Sequence, residues 1–100
     1  MSEKIIVPID PDLEDLIPGF LSNRNRDVNA IEEHLANGDF DAIRMLGHSM
    51  KGAGAGYGFD PITDYGARLE RAAEEQARDE IVAARADLAD YLSRVEPTFD

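Results

Sequence analysis

Between Asp10 and Arg94 the apolar positions of this chain return every three or four residues, with polar residues filling the gaps. Leu13, Ile17, Leu21, Val28, Ile31 and Leu35, with Phe20 beside them, have the spacing of a long amphipathic helix. Asp10-Pro11 supplies an N-cap and a proline at the first helical position. Pro18-Gly19 is expected to kink this helix or to split off a short first one, and Asn37-Gly38 to end it. Asp39 caps a second helix whose buried stripe is Phe40, Ile43, Gly47, Met50, Gly54 and Tyr57. Asp60-Pro61 opens a third, carrying Ile62, Tyr65, Leu69, Ala72 and Ala73. Asp79 is the expected cap of the last, with Ile81, Ala84, Leu88, Tyr91, Leu92 and Val95 inside and Pro97 beyond its end.

Every predicted link between these helices is only a few residues long, which favours antiparallel neighbours. The expected fold is therefore all-α, an up-and-down antiparallel four-helix bundle with a short N-terminal helix or kink. Its length of 100 residues suits a single domain over 1–100, with an extended lead at 1–9 and the bundle at 10–95. The lead, KIIVPID, has no partner that the sequence identifies. Absence of cysteine excludes disulfides, and the longest apolar run, Ile5 to Ile9, is too short to span a membrane. No signal or transit segment is visible, so the expected location is the cytoplasm.

Charge sharpens the picture. The formal net charge is −11, from 21 acidic against 10 basic residues, which argues against nucleic acid or an anionic membrane as partner. The stretch from Ala42 to Phe59 nevertheless contains no acid, while Arg44, His48 and Lys51 fall within it. The same segment holds Gly47, Gly52, Gly54, Gly56 and Gly58, although each glycine inside a helix is worth about 1 kcal/mol less than alanine.

At about 100° per residue, Arg44, His48, Lys51 and Ala55 line one stripe of the second helix, roughly 100° from its buried one. His48 is thus expected to face solvent. Gly52, four residues on, leaves space beside the imidazole, while Gly47, Gly54 and Gly58 fall on or near the core side and let neighbouring helices approach. Gly56 points outward without an evident reason. A neutral imidazole carries a lone pair on one ring nitrogen and can act as a nucleophile. Lys51 and Arg44 add positive charge of the kind that phosphoryl transfer requires. No neighbouring residues suit magnesium, which a partner would have to supply.

The segment His48-Ser49-Met50-Lys51-Gly52-Ala53-Gly54, with Gly58 ten positions after the histidine and Leu69-Glu70 on the next helix, resembles the histidine phosphotransfer (HPt) domain of bacterial phosphorelays. The HSMKG…GYGF run is similar to the phosphotransfer domain of chemotaxis histidine kinases. The resemblance runs from about Asp10 to Arg94 and implies that His48 accepts a phosphoryl group from a receiver-domain aspartate or a kinase and passes it to another receiver. Lys51 would contact the phosphoryl group, Gly52 and Ala55 would lie on the receiver-docking surface, and Glu70 would hydrogen-bond the other ring nitrogen. Arg44 would contribute electrostatically. The implied partners are a response-regulator receiver domain, a sensor histidine kinase, or both, with no cofactor of this chain's own and magnesium held by the receiver. The chain departs from the family in its extra glycines and in Gly47, where a larger residue is usual.

Other readings fit less well. GAGAGYG lacks the preceding strand and the GK[ST] of a phosphate loop. His34, near the end of the first helix, suits the helix dipole, and two histidines so far apart make a weak metal site. Phe20, Phe40, Tyr57, Tyr65 and Tyr91 follow helical spacing and belong to a core rather than a ligand box. A stand-alone phosphorelay intermediate, favoured by Met1 at the start and Pro97 near the end, contrasts with the substrate domain of a larger kinase. The alternative of another class is a helical interaction module that is never phosphorylated. None of these is a complete enzyme, since the chain has no ATP-binding signature.

Overall fold

The computed structural model describes residues 3–99. Asp10 accepts a hydrogen bond from the Asp12 amide and starts a short 3-10 helix, Pro11–Leu16. Helix α1 follows at Ile17–Ala36, so the short first helix is split off and Pro18 sits harmlessly in the first turn of α1, where no intrahelical amide partner is required. Helix α2 spans Phe40–Gly54, with the Asp39 carboxylate accepting from the Ala42 amide at its cap. A 3-10 turn, Ala55–Tyr57, leads to helix α3 at Asp60–Glu74, and helix α4 covers Arg78–Arg94.

Each helix packs against its sequence neighbour, and α1 against α4 closes the ring, giving the up-and-down bundle. Its centre is built from Ile17, Phe20 and Ile31 of α1, Ile43 and Met50 of α2, Ile62 and Leu69 of α3, and Ile81 and Leu88 of α4, all buried. These are the positions that the three-to-four periodicity marks. Phe20 stacks on Tyr57 at 4.4 Å between centroids and on Phe59 at 5.5 Å, which seats the glycine-rich turn on α1.

Three expectations need correction. Asp79 lies inside the first turn of α4, whose N-cap is Ala77, because Gln76 adopts a left-handed φ of 53° and reverses the chain earlier. Asp60-Pro61 opens α3 as expected, with Asp60 in its first turn and Phe59 at the cap position. Gly58 does not bring helices together: its φ of 92° makes it the left-handed end of the 3-10 turn. Val95 leaves α4 with ψ of 136° to begin a strand paired with Ile5, and Pro97, which disfavours helical backbone at Glu96 and lacks a donor, keeps the helix from continuing.

From Val95 the chain forms a strand. Strand β1, Ile5–Pro8, pairs in parallel with β2, Val95–Thr98, in the register Ile5 to Val95 through Pro8 to Thr98. The lead therefore finds its partner at the opposite end of the sequence. Lys4 and Glu96 stand 3.7 Å apart, Arg94 Nε donates to the Glu3 carbonyl at 2.7 Å, and the Ile9 amide donates to the Thr98 carbonyl at 2.7 Å. Ile9 itself is buried in the bundle. No described helix is long and apolar enough to cross a membrane.

Candidate functional site

The face that α2 turns to α3 is where the backbones come closest. A Cβ on Gly47 would lie 2.6 Å from the Glu70 nitrogen and 2.7 Å from the Gly66 carbonyl oxygen, distances that real side chains do not adopt. A Cβ on Gly66 would collide with the Lys51 nitrogen, and one on Gly54 would lie 2.5 Å from the Thr63 nitrogen. Glycine at these positions therefore lets two helices pack almost backbone to backbone. By contrast, a Cβ on Gly52 or on Gly56 would meet nothing within 4 Å.

This seam carries the polar cluster. His48 stands on the outer edge of α2 with its side chain 69 % exposed, and its Nδ1 lies 2.8 Å from Glu70 Oε2. The other carboxylate oxygen, Oε1, accepts from Lys51 Nζ at 2.6 Å. Glu70, with a side chain only 16 % exposed, thus bridges two residues of the neighbouring helix. The Lys51 hydrogen bond, and after it the His48 one, holds the Glu70 carboxyl below the usual carboxylate range. An ionised carboxylate can only accept hydrogen bonds, so His48 Nδ1 must carry the proton in this contact. In the neutral ring that leaves the lone pair on Nε2, which makes no hydrogen bond among the described residues.

Of the residues singled out in the sequence, His48, Lys51 and Glu70 come together in one hydrogen-bonded group. Gly52 and Ala55 are exposed near them on the same side of α2, although Ala55 already belongs to the 3-10 turn. Arg44 lies a turn before His48, and its Nε is 3.9 Å from Asp41 Oδ1, a loose and exposed pair that leaves it outside the cluster. Lys51 is not an unengaged cation, as its stripe position alone suggests, because Glu70 reaches across to it.

Sequence reasoning overlooked Thr63, Gly66 and Met45. Thr63, Gly66 and Glu70 are spaced by three and four residues, so one face of α3 presents all of them to α2, and that spacing is a readable signal. Met45, three residues before His48, is 63 % exposed and forms an apolar spot on the outer side of α2. Among the described residues no group of three His, Cys, Asp or Glu side chains could hold a metal ion.

The family model of the Hpt domain matches residues 15–97, which includes all of α1 to α4. No curated protein and no solved structure matches the chain.

Proposed function

The chain belongs to the Hpt domain family, and on that premise we propose that His48 is a phosphoryl carrier, accepting the group from a receiver-domain aspartate or a kinase and returning it to another receiver. Histidine phosphotransfer in phosphorelays is the role of the family; the residues and partners are inferred from the site. One observation carries the assignment: the 2.8 Å contact from His48 Nδ1 to Glu70, which directs the lone pair of an exposed ring to Nε2.

In the forward step the Nε2 lone pair forms a bond to phosphorus while the bond from phosphorus to the aspartyl oxygen breaks. The aspartate carboxylate leaves with that electron pair, so no proton has to move to balance the exchange. The ring gains positive charge, and the Glu70 carboxylate beside Nδ1 stabilises it. An ammonium has three N–H donors, and Lys51 commits one to Glu70, which leaves others for the phosphoryl oxygens. Magnesium would be held by the receiver, and the catalytic machinery would be the partner's as well, with this domain acting as carrier.

The docking surface is the outer side of α2 around His48. Gly52 offers clearance, Met45 an apolar contact, and Ala55 and Arg44 extend the surface along the helix. Arg44, only loosely paired with Asp41, and the Lys51 N–H groups not committed to Glu70 complement the acidic phosphorylation pocket of a receiver. Reaction to a signal would occur in the cytoplasm.

The experiment is transfer from a phosphorylated receiver domain to the parent protein and to His48→Gln. Acid-labile, base-stable label on the parent alone is the expected outcome. Failure of every receiver and kinase of the same organism to label it would instead favour an interaction module that is not phosphorylated.

A further inference from the structure

Thr63 lies near the start of α3, and its side chain reaches into the end of α2. Its hydroxyl donates to the Lys51 carbonyl at 3.0 Å and accepts from the Ala55 amide at 2.8 Å. These two backbone groups are four residues apart, the pair that an uninterrupted helix joins to each other. A side chain from the neighbouring helix thus stands at the last rung of α2. Insertion of a side chain at such a rung is an identifiable cause of a break, and α2 gives way at this point to the 3-10 turn Ala55–Tyr57.

The surrounding glycines make the insertion possible. A Cβ on Gly54 would sit 2.7 Å from the Thr63 hydroxyl oxygen. On the amide side of Lys51, a Cβ on Gly66 would run into the Lys51 nitrogen and lie 2.9 Å from its Cα. The Lys51 backbone is therefore confined at its carbonyl by Thr63 and at its amide by Gly66, while its ammonium is held by Glu70. All three contacts come from one face of α3.

We propose that Thr63 is a positioning residue for phosphoryl transfer: by bonding the Lys51 carbonyl and the Ala55 amide it ends α2 directly behind Lys51 and sets where the Lys51 ammonium stands relative to Glu70 and His48. The proposal rests on the phosphotransfer reading above and deepens it. Thr63 acts through Lys51, since both of its hydrogen bonds are to α2 and turn backbone. Thr63→Val keeps the shape of the side chain but can neither donate nor accept, whereas Thr63→Ser keeps the hydroxyl.

Two readouts test it on the full chain. The first is a carbon-13 NMR titration of the Glu70 carboxyl, which the Lys51 hydrogen bond does most to hold below the ordinary range. Its midpoint should rise toward that range in Thr63→Val and stay with the parent in Thr63→Ser. The second is transfer from a phosphorylated receiver. Thr63→Val should be slower, by up to about a hundredfold if the ammonium is displaced by about 1 Å, and Thr63→Ser should restore the rate. In a Lys51→Ala background Thr63→Val should add no further loss. If a thermal melt shows Thr63→Val unfolded, Thr63→Ala takes its place with the same expectations, being small enough for the Ala55 amide to return to the Lys51 carbonyl. An unmoved Glu70 midpoint, or an equal slowing with and without Lys51, overturns the proposal. If the parent accepts no phosphoryl group the phosphotransfer reading fails, while the Glu70 titration still decides whether Thr63 places Lys51.

Discussion

Gly47 and Glu70 pack backbone against backbone: a Cβ on Gly47 would come within 2.6 Å of the Glu70 nitrogen and 3.1 Å of its Cα. Gly47 immediately precedes His48, so this close approach of the two backbones lies next to the Glu70–imidazole contact. Gly47→Ala must push the helices apart or bend one of them. Overpacking of this kind costs about 1 to 3 kcal/mol, more than the roughly 1 kcal/mol that alanine gains in a helix. Urea unfolding should give a lower midpoint, and a midpoint equal to the parent's would mean that the seam yields freely.

Gly52→Ala should have the reverse effect on stability. Nothing lies within 4 Å of its Cβ direction and its backbone is helical, so alanine should raise stability by up to about 1 kcal/mol. If Gly52 clears space for a receiver, the same variant should transfer phosphate more slowly. Stabilisation with an unchanged transfer rate would remove Gly52 from the docking surface.

Acid should loosen the cluster through Glu70. Its carboxyl titrates lower in the folded chain than in the unfolded one, so its contribution to stability is complete above the ordinary carboxylate range. That contribution is lost as pH falls through the ordinary range and then through the lower folded midpoint. The stability difference between the parent and Glu70→Gln, followed by denaturant titration, should therefore be largest near neutrality and shrink in acid. A difference that is constant across that range would mean that Glu70 contributes little through its charge.

Lys51 and Arg44 should separate under charge reversal. Lys51→Glu sets a second carboxylate against Glu70, 2.6 Å from where the ammonium now stands, and removes a donor from the site. Arg44→Glu alters only an exposed position 3.9 Å from Asp41. Both should slow transfer without unfolding the domain, Lys51→Glu by the larger factor, and only the Arg44→Glu effect should fade with added salt. Equal rates for both variants and the parent would remove the electrostatic part of the proposed mechanism.

The N-terminal lead should matter for stability as well. Ile9, 4 % exposed, follows β1 and packs so closely on Gly58 that a Cβ there would meet its Cδ1 at 2.8 Å. Ile9→Ala should destabilise the domain by about 2 to 4 kcal/mol, lowering the melting temperature by roughly 10 °C or more. A melting curve unchanged from the parent's would mean that the lead is only an appendage.

Helices and core were legible because their signal is local. Apolar residues at three- and four-residue steps mark a buried stripe, and Ile17, Ile31, Ile43, Met50, Leu69, Ile81 and Leu88 are buried as that stripe requires. The placement of His48 on an exposed face follows from the same geometry. Helix starts were less secure, since Asp79 and Asp60 have the chemistry of caps but lie inside the first turn. Propensity there gave way to a left-handed Gln76 and to the packing of Phe59.

From its residues alone the chain determined that four amphipathic helices would form, that they would be joined too tightly for anything but an up-and-down bundle, and that an imidazole and a lysine would share one outer stripe. These depend on spacing along the chain, which tertiary contacts do not change. The tertiary structure decided what lies across from that stripe: that Glu70, whose contact with His48 only the family resemblance implied, also takes Lys51, that Thr63 enters the end of α2, and that residues 5–8 pair with 95–98. Each of these depends on how two stretches distant in sequence approach: between α2 and α3 the distance is set by Gly47, Gly54 and Gly66, and between the strands by backbone pairing of the two chain ends.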